Sequence, residues 1–183
     1  MRGAFTGWFV PTSWALKSIY IRGMFEVLVF VYENYWRGDA CPELQQLGRK
    51  LSAAGFQIED IHQALSWLDG LNLASQNTEL IDISQSAPEQ HTESPQSLRV
   101  YSIAEQEHLG AACLGFISFL ETAEVLSAHM REIVLDRAMA RPGNPLHLDD
   151  LKIIVLMVYW SVGLEPDALV LDELCDDADR VAH

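Results

Sequence analysis

The sequence predicts a mostly α fold: an N-terminal winged helix-turn-helix-like unit of three helices plus a short β-ribbon at 24–101, then a C-terminal helical unit at 102–175. Three observations predict it. Apolar residues recur at three- and four-residue spacing along most of the chain, the period of a helix with one buried face. A short alternating segment, Glu79 to Ile83, follows the third such stretch and reads as a strand. The second half shows helical periods throughout.

Taken in order, Met24 to Arg37 (MFEVLVFVYENYWR) places Phe25, Leu28, Val29 and Tyr32 on one face, and Gly38 ends it. Pro42 and Glu43 suit the first turn of a second helix, where proline forfeits no intrahelical bond. That helix runs through Leu44, Leu47 and Leu51 and stops at Gly55, a good C-terminal cap. A third, from about 57 to 72, carries the stripe Ile58, Ile61, Leu65 and Leu68, with Gly70 weakening its last turn. Glu79–Ile83 and Leu98–Tyr101 then read as two strands joined by a polar loop at 85–97, which Pro88 and Pro95 should keep mobile. Three helices followed by a ribbon is the order of a winged helix-turn-helix domain.

Ser102 and Glu105 match a capping box, the serine capping a backbone N–H while the glutamate reaches back. The helix they open runs through Leu109, Cys113, Phe116, Ile117 and Leu120. Thr122 is expected to start the next, with Leu126, Met130, Ile133 and Val134 on one face, and Pro142, Gly143 and Pro145 to break it. Asp149 and Asp150 suit the positive end of a further helix. From Leu151 to Trp160 that helix is apolar almost all round, Lys152 excepted, so it must be covered on most sides by its own chain or by a partner. A short helix at 167–174 precedes an acidic tail at 176–183. Residues 1–23 lack the unbroken apolar centre of a signal peptide, because Pro11, Thr12 and Ser13 interrupt it. They read as a non-native or disordered extension ahead of a natural start at Met24, with a targeting segment as the alternative.

Charge bounds the function. The formal net charge is −14, and residues 24–183 hold nine bases against 26 acids. Such a chain repels phosphate backbones and anionic membrane surfaces. The longest apolar run, Ile153 to Trp160, falls far short of the roughly 18 to 20 residues of a membrane span. Three sparse cysteines, Cys41, Cys113 and Cys175, suggest a reducing compartment rather than a disulfide framework.

Several stretches resemble the bacterial Smg family: MFEVLVFVYENY at 24–35, AGFQIEDIHQALSWLDGL at 54–71, RVYSIAEQEHLGAACLGFISFLETAEVL at 99–126, REIVLDRAMA at 131–140 and DDLKIIVLMVYW at 149–160. They cover nearly all of 24–174 in order. The chain departs from the family around 85–97, after Trp160 and in the upstream extension. The resemblance implies a small bacterial cytoplasmic protein of unknown function, often encoded near DNA-processing and topoisomerase genes, with no catalytic residue assigned.

The residues themselves show no active site. A winged helix reads DNA with its third helix, yet 58–72 contains no Lys or Arg and presents Glu59, Asp60, Gln63, Ser66 and Asp69. Arg49, Lys50 and Arg99 are the candidate nucleic-acid contacts of the alternative reading, a poor phosphate footprint. No two of the six histidines stand four apart and no Cys-x-x-Cys occurs, so no metal is expected. Cys113 sits in an apolar run and reads as buried and unreactive. Glu132 and Asp136, flanked by Arg131 and Arg137, read as helix-surface ion pairs rather than an acid–base pair. No glycine-rich phosphate loop or nucleophile elbow is present, and no cofactor is expected. Tyr35, Trp36, Tyr159 and Trp160 are the candidate partner surface, with core packing between the two halves as the plainer alternative. The expected function is a non-catalytic module that binds another protein, one carrying basic charge and including nucleic-acid-handling proteins. A homo-oligomer is also open.

Overall fold

In the computed structural model the described residues are 23–35, 43–84, 99–141, 145–164 and 166, with side chains of the second segment described as far as Gln76. They form α1 (Met24–Tyr35), α2 (Leu44–Ala54), α3 (Ile58–Ser84), α4 (Ile103–Thr122), α5 (Ala128–Met139) and α6 (Leu148–Ser161). The expectations for 1–22, for Pro42, for the loop at 85–97, for the short helix at 167–174 and for the acidic tail lie outside the described residues.

The structure overturns the expected winged-helix unit. Among the described residues there is no strand and hence no β-ribbon. Helix α3 continues through Glu79–Ile83, the proposed first strand, and ends only at Ser84. No glycine or proline stands between Gly70 and Ser84, and extending a nucleated helix is far cheaper than starting a new element. Five alternating residues could not outweigh that continuity. Of the proposed return strand Leu98–Tyr101, the described part, Arg99–Tyr101, is irregular chain leading into α4.

Other boundaries follow local chemistry. Gly55 closes α2 at φ 98°, the left-handed conformation that favours glycine. The capping box is present: Ser102 Oγ accepts from Glu105 N, and the Glu105 carboxylate accepts from Ser102 N. Thr122 ends α4 rather than opening α5. The chain turns through Glu124 at φ 57°, and Ser127 caps α5 by accepting from Met130 N. The sequence signal at Thr122 is that of any capping hydroxyl, and Ser127 is the one that serves.

Helix α6 is the centre of the fold. Every residue from Asp150 to Tyr159 is buried, and α1, α3, α4 and α5 all pack against it. It therefore finds within its own chain the cover its apolar sequence requires. Helix α1 runs parallel to it. At one end the Arg141 guanidinium lies 5.3 Å over the Phe25 ring and pairs with Asp150. At the other, Trp160 Nε1 donates to Tyr35 O at 3.4 Å. One hydrophobic cluster spans both halves, from Leu28, Leu47 and Leu71 to Ile117, Leu151 and Ile154.

Two glycines have structural reasons. Gly70 lies where α3 meets α5, and a Cβ there would stand 1.9 Å from Arg137 Nη1. Its absence admits the guanidinium, while Trp67 Nε1 donates to Arg137 O at 3.0 Å. Gly110 interrupts α4 with φ 67° and ψ 172°, a conformation open almost only to glycine. The break releases His108 O, which accepts from Leu146 N at 2.8 Å and ties the segment before α6 to α4. Cys113 Sγ donates to Leu146 O beside it.

Candidate functional site

The three candidate nucleic-acid contacts are held by different elements. Arg49 and Lys50 are exposed on α2, which packs on α3. Lys50 Nζ lies 5.2 Å over the Tyr35 ring, a cation–π contact. Arg99 belongs to an ion-pair network between α4 and α5. Its guanidinium donates to Glu105 at 2.8 Å and to Glu132 at 3.0 Å, and it lies 5.0 Å over the Tyr101 ring. Arg131 extends the network by pairing with Glu121 and Glu132. A guanidinium already bound to two carboxylates carries little field outward to a phosphate.

Titration follows this geometry. The Glu132 hydrogen bond leads the causes that hold Arg99 above its ordinary value, with burial opposing and Glu105 adding. Burial works to raise Glu105 and Glu132, but their bonds to Arg99, joined by Ser102 for one and Arg131 for the other, leave both carboxyls below 4.5. An acid with a depressed folded pKa stabilises the fold above its unfolded value and loses that contribution as pH falls through the folded one. The network's share of stability is therefore present above about pH 4.5 and fades below it. Urea unfolding at pH 6 and pH 3.5 is expected to show wild type losing stability on acidification, with Glu132→Gln losing less. An equal loss in both would show that the network does not govern the acid response.

Of the candidate partner surface, Tyr159 is buried and its hydroxyl donates to Val125 O. Tyr35 and Trp160 are half-buried and joined by the bond already described, and Trp36 lies outside the described residues. The exposed large apolar side chains lie elsewhere. Val100 is 85% exposed and Ile103 76%, and Ile58, Leu73, Phe119 and Leu164 are also more than half exposed. Sequence reasoning missed Val100 and Ile103 by placing the first in a strand. The position of Ile103 directly after a capping serine was the one available signal.

The helix that would read DNA turns an uncharged and acidic face outward, with His62, Gln63, Ser66 and Asp69 exposed. Burial pushes the Cys113 thiol up to about 11, with the Asp150 charge adding. Asp150 is itself raised by burial against the opposing charge of Arg141. A buried, protonated thiol is a poor nucleophile. Among the described residues no group of His, Cys, Asp and Glu could hold a metal ion. A small apolar groove between α1 and α6, lined by Val29, Tyr32, Glu33, Ile153, Leu156 and Met157, has room for one water at most, about 10 Å³. No helix among the described residues is long and apolar enough to cross a membrane.

The comparisons with known proteins agree on kinship and are silent on activity. Residues 24–183 match a family described as a protein of unknown function, DUF494. The chain is 60% identical over 163 residues to a Smg homologue of Methylibium petroleiphilum, covering 87% of this chain and 100% of that one. A Smg homologue of Leptothrix cholodnii is 59% identical over the same shares. One from Bordetella avium is 49% identical over 84% of this chain and 95% of its own. No solved structure matches. With one family matching most of its length and relatives this similar along it, the chain belongs to the Smg family, whose function is unknown.

Proposed function

We propose that this Smg-family chain is a non-catalytic, cytoplasmic module that binds another protein and selects partners that carry basic charge. The observation that carries this reading is where its cations go. Arg99, Arg131, Arg137 and Arg141 are each paired with carboxylates of the same chain, and Lys152 is buried 5.7 Å over the Phe116 ring. Arg49 and Lys50 are the exposed bases among the described residues. Exposed acids outnumber them, Glu33, Glu43, Glu59, Asp69, Glu107, Glu124 and Asp149 among them. The outward field is negative, which speeds encounter with basic surfaces and repels phosphates. The absence of convergent catalytic groups in the sequence supports a role in binding rather than chemistry.

Direct nucleic-acid binding through Arg49, Lys50 and Arg99 is the alternative. A titration with duplex DNA at low salt separates the two. The module reading predicts no binding. Binding that weakens steeply with salt and is lost in the Arg49→Ala, Lys50→Ala, Arg99→Ala triple variant would overturn it in favour of the alternative.

A further inference from the structure

We infer that Val100 and Ile103 form the apolar anchor of a docking surface for a basic segment of another protein, an assignment that rests on the interaction-module reading. These two are the most exposed large apolar side chains among the described residues, at 85% and 76%. A single exposed isoleucine or valine is ordinary. These two lie three residues apart on a backbone that is fixed from several sides. Arg99 Nη1 donates to Val100 O at 3.0 Å, and Gln106 Nε2 donates to Tyr101 O at 2.7 Å. Ser102 N donates to Glu105 Oε2 at 2.7 Å, closing the capping box. Three backbone groups of the segment, Val100 O, Tyr101 O and Ser102 N, are thus engaged within the chain while its apolar tips stay in water. A surface ordered before binding loses little conformational freedom on binding, which favours its use as a contact.

The surroundings select the partner. Glu107 stands four residues after Ile103, on the same face of α4. Glu132, about half exposed, borders the segment through Arg99. Three carboxylates, Glu105, Glu121 and Glu132, pair with two guanidiniums, Arg99 and Arg131, which leaves a negative excess to which the exposed Glu107 adds. An apolar side chain flanked by lysines or arginines complements such a patch. A second copy of this chain does not, because both copies carry a net charge of −14.

The test uses the full chain and three fluorescent peptides of equal length: one of lysine and leucine, one of glutamate and leucine, one of lysine and serine. Anisotropy titration is expected to show the lysine–leucine peptide binding at least tenfold more tightly than either of the others. The Val100→Ser, Ile103→Ser double variant should lose at least tenfold in that affinity with an unchanged thermal midpoint, since both side chains are exposed. Leu73→Ser, at a 56% exposed leucine on α3, should stay within twofold of wild type. Equal affinity of wild type and the double variant would overturn this surface and leave the module reading standing. Failure of every peptide to bind would overturn the surface, with co-purification then judging the module reading separately. A dimer in sedimentation that the double variant abolishes would overturn the basic partner in favour of a second copy.

Discussion

Alanine at Ile154 is expected to lower the unfolding free energy by about 2–5 kcal/mol, the range for deleting a fully buried aliphatic side chain. Ile154 is 0% exposed and sits on α6, which touches four other helices. A cavity on such a helix cannot collapse without moving several elements at once, so relaxation recovers little of the lost packing. Urea unfolding measures the effect, and an unchanged denaturant slope would show that the unfolded state is unaltered. Leu73→Ala, on an exposed side chain, should change stability by no more than about 0.5 kcal/mol. A loss below about 1 kcal/mol at Ile154 would contradict the central placement of α6.

Alanine substitutions at two glycines of the same helix are expected to act with opposite sign. Gly110→Ala should destabilise by about 1–3 kcal/mol, because φ 67° with ψ 172° strains any side-chain-bearing residue. No atom stands within 4 Å of a Cβ at Gly110, so the loss is one of backbone strain and not of a clash. Gly115→Ala, in the regular part of α4 and also with open space at its Cβ, should stabilise by about 0.5–1 kcal/mol, the ordinary helical gain. Thermal unfolding of both variants checks the pair. A stabilised Gly110→Ala would mean that α4 is continuous through residue 110.

The helices that local chemistry marks were legible in the sequence. Gly55, the Ser102–Glu105 box and the aspartates at the head of α6 each act within one turn, and each stands where the pattern placed it. The continuation of α3 to Ser84 was not legible, because the alternation of Glu79–Ile83 imitates a strand although it is too short to outweigh the uninterrupted helix before it. The break at Gly110 was hidden inside a run that is helical on both sides. The candidate site depended on separations no local pattern reveals. Arg99 meets Glu132 across 33 residues, and that meeting turns a candidate phosphate contact into an internal ion pair. Likewise Tyr159 looked like spare aromatic surface until Val125 O, 34 residues away, supplied its hydroxyl with a partner. The all-round apolar sequence of α6 implied its burial but not which helices would bury it.

Affinity purification of the tagged chain from its own host, with and without nuclease, tests the interaction-module reading most directly. The reading predicts at least one stoichiometric protein partner that survives nuclease and is released by moderate salt, as an acidic surface bound to a basic one would be. Loss of every co-purifying protein on nuclease treatment would contradict it and make nucleic acid the ligand in spite of the charge.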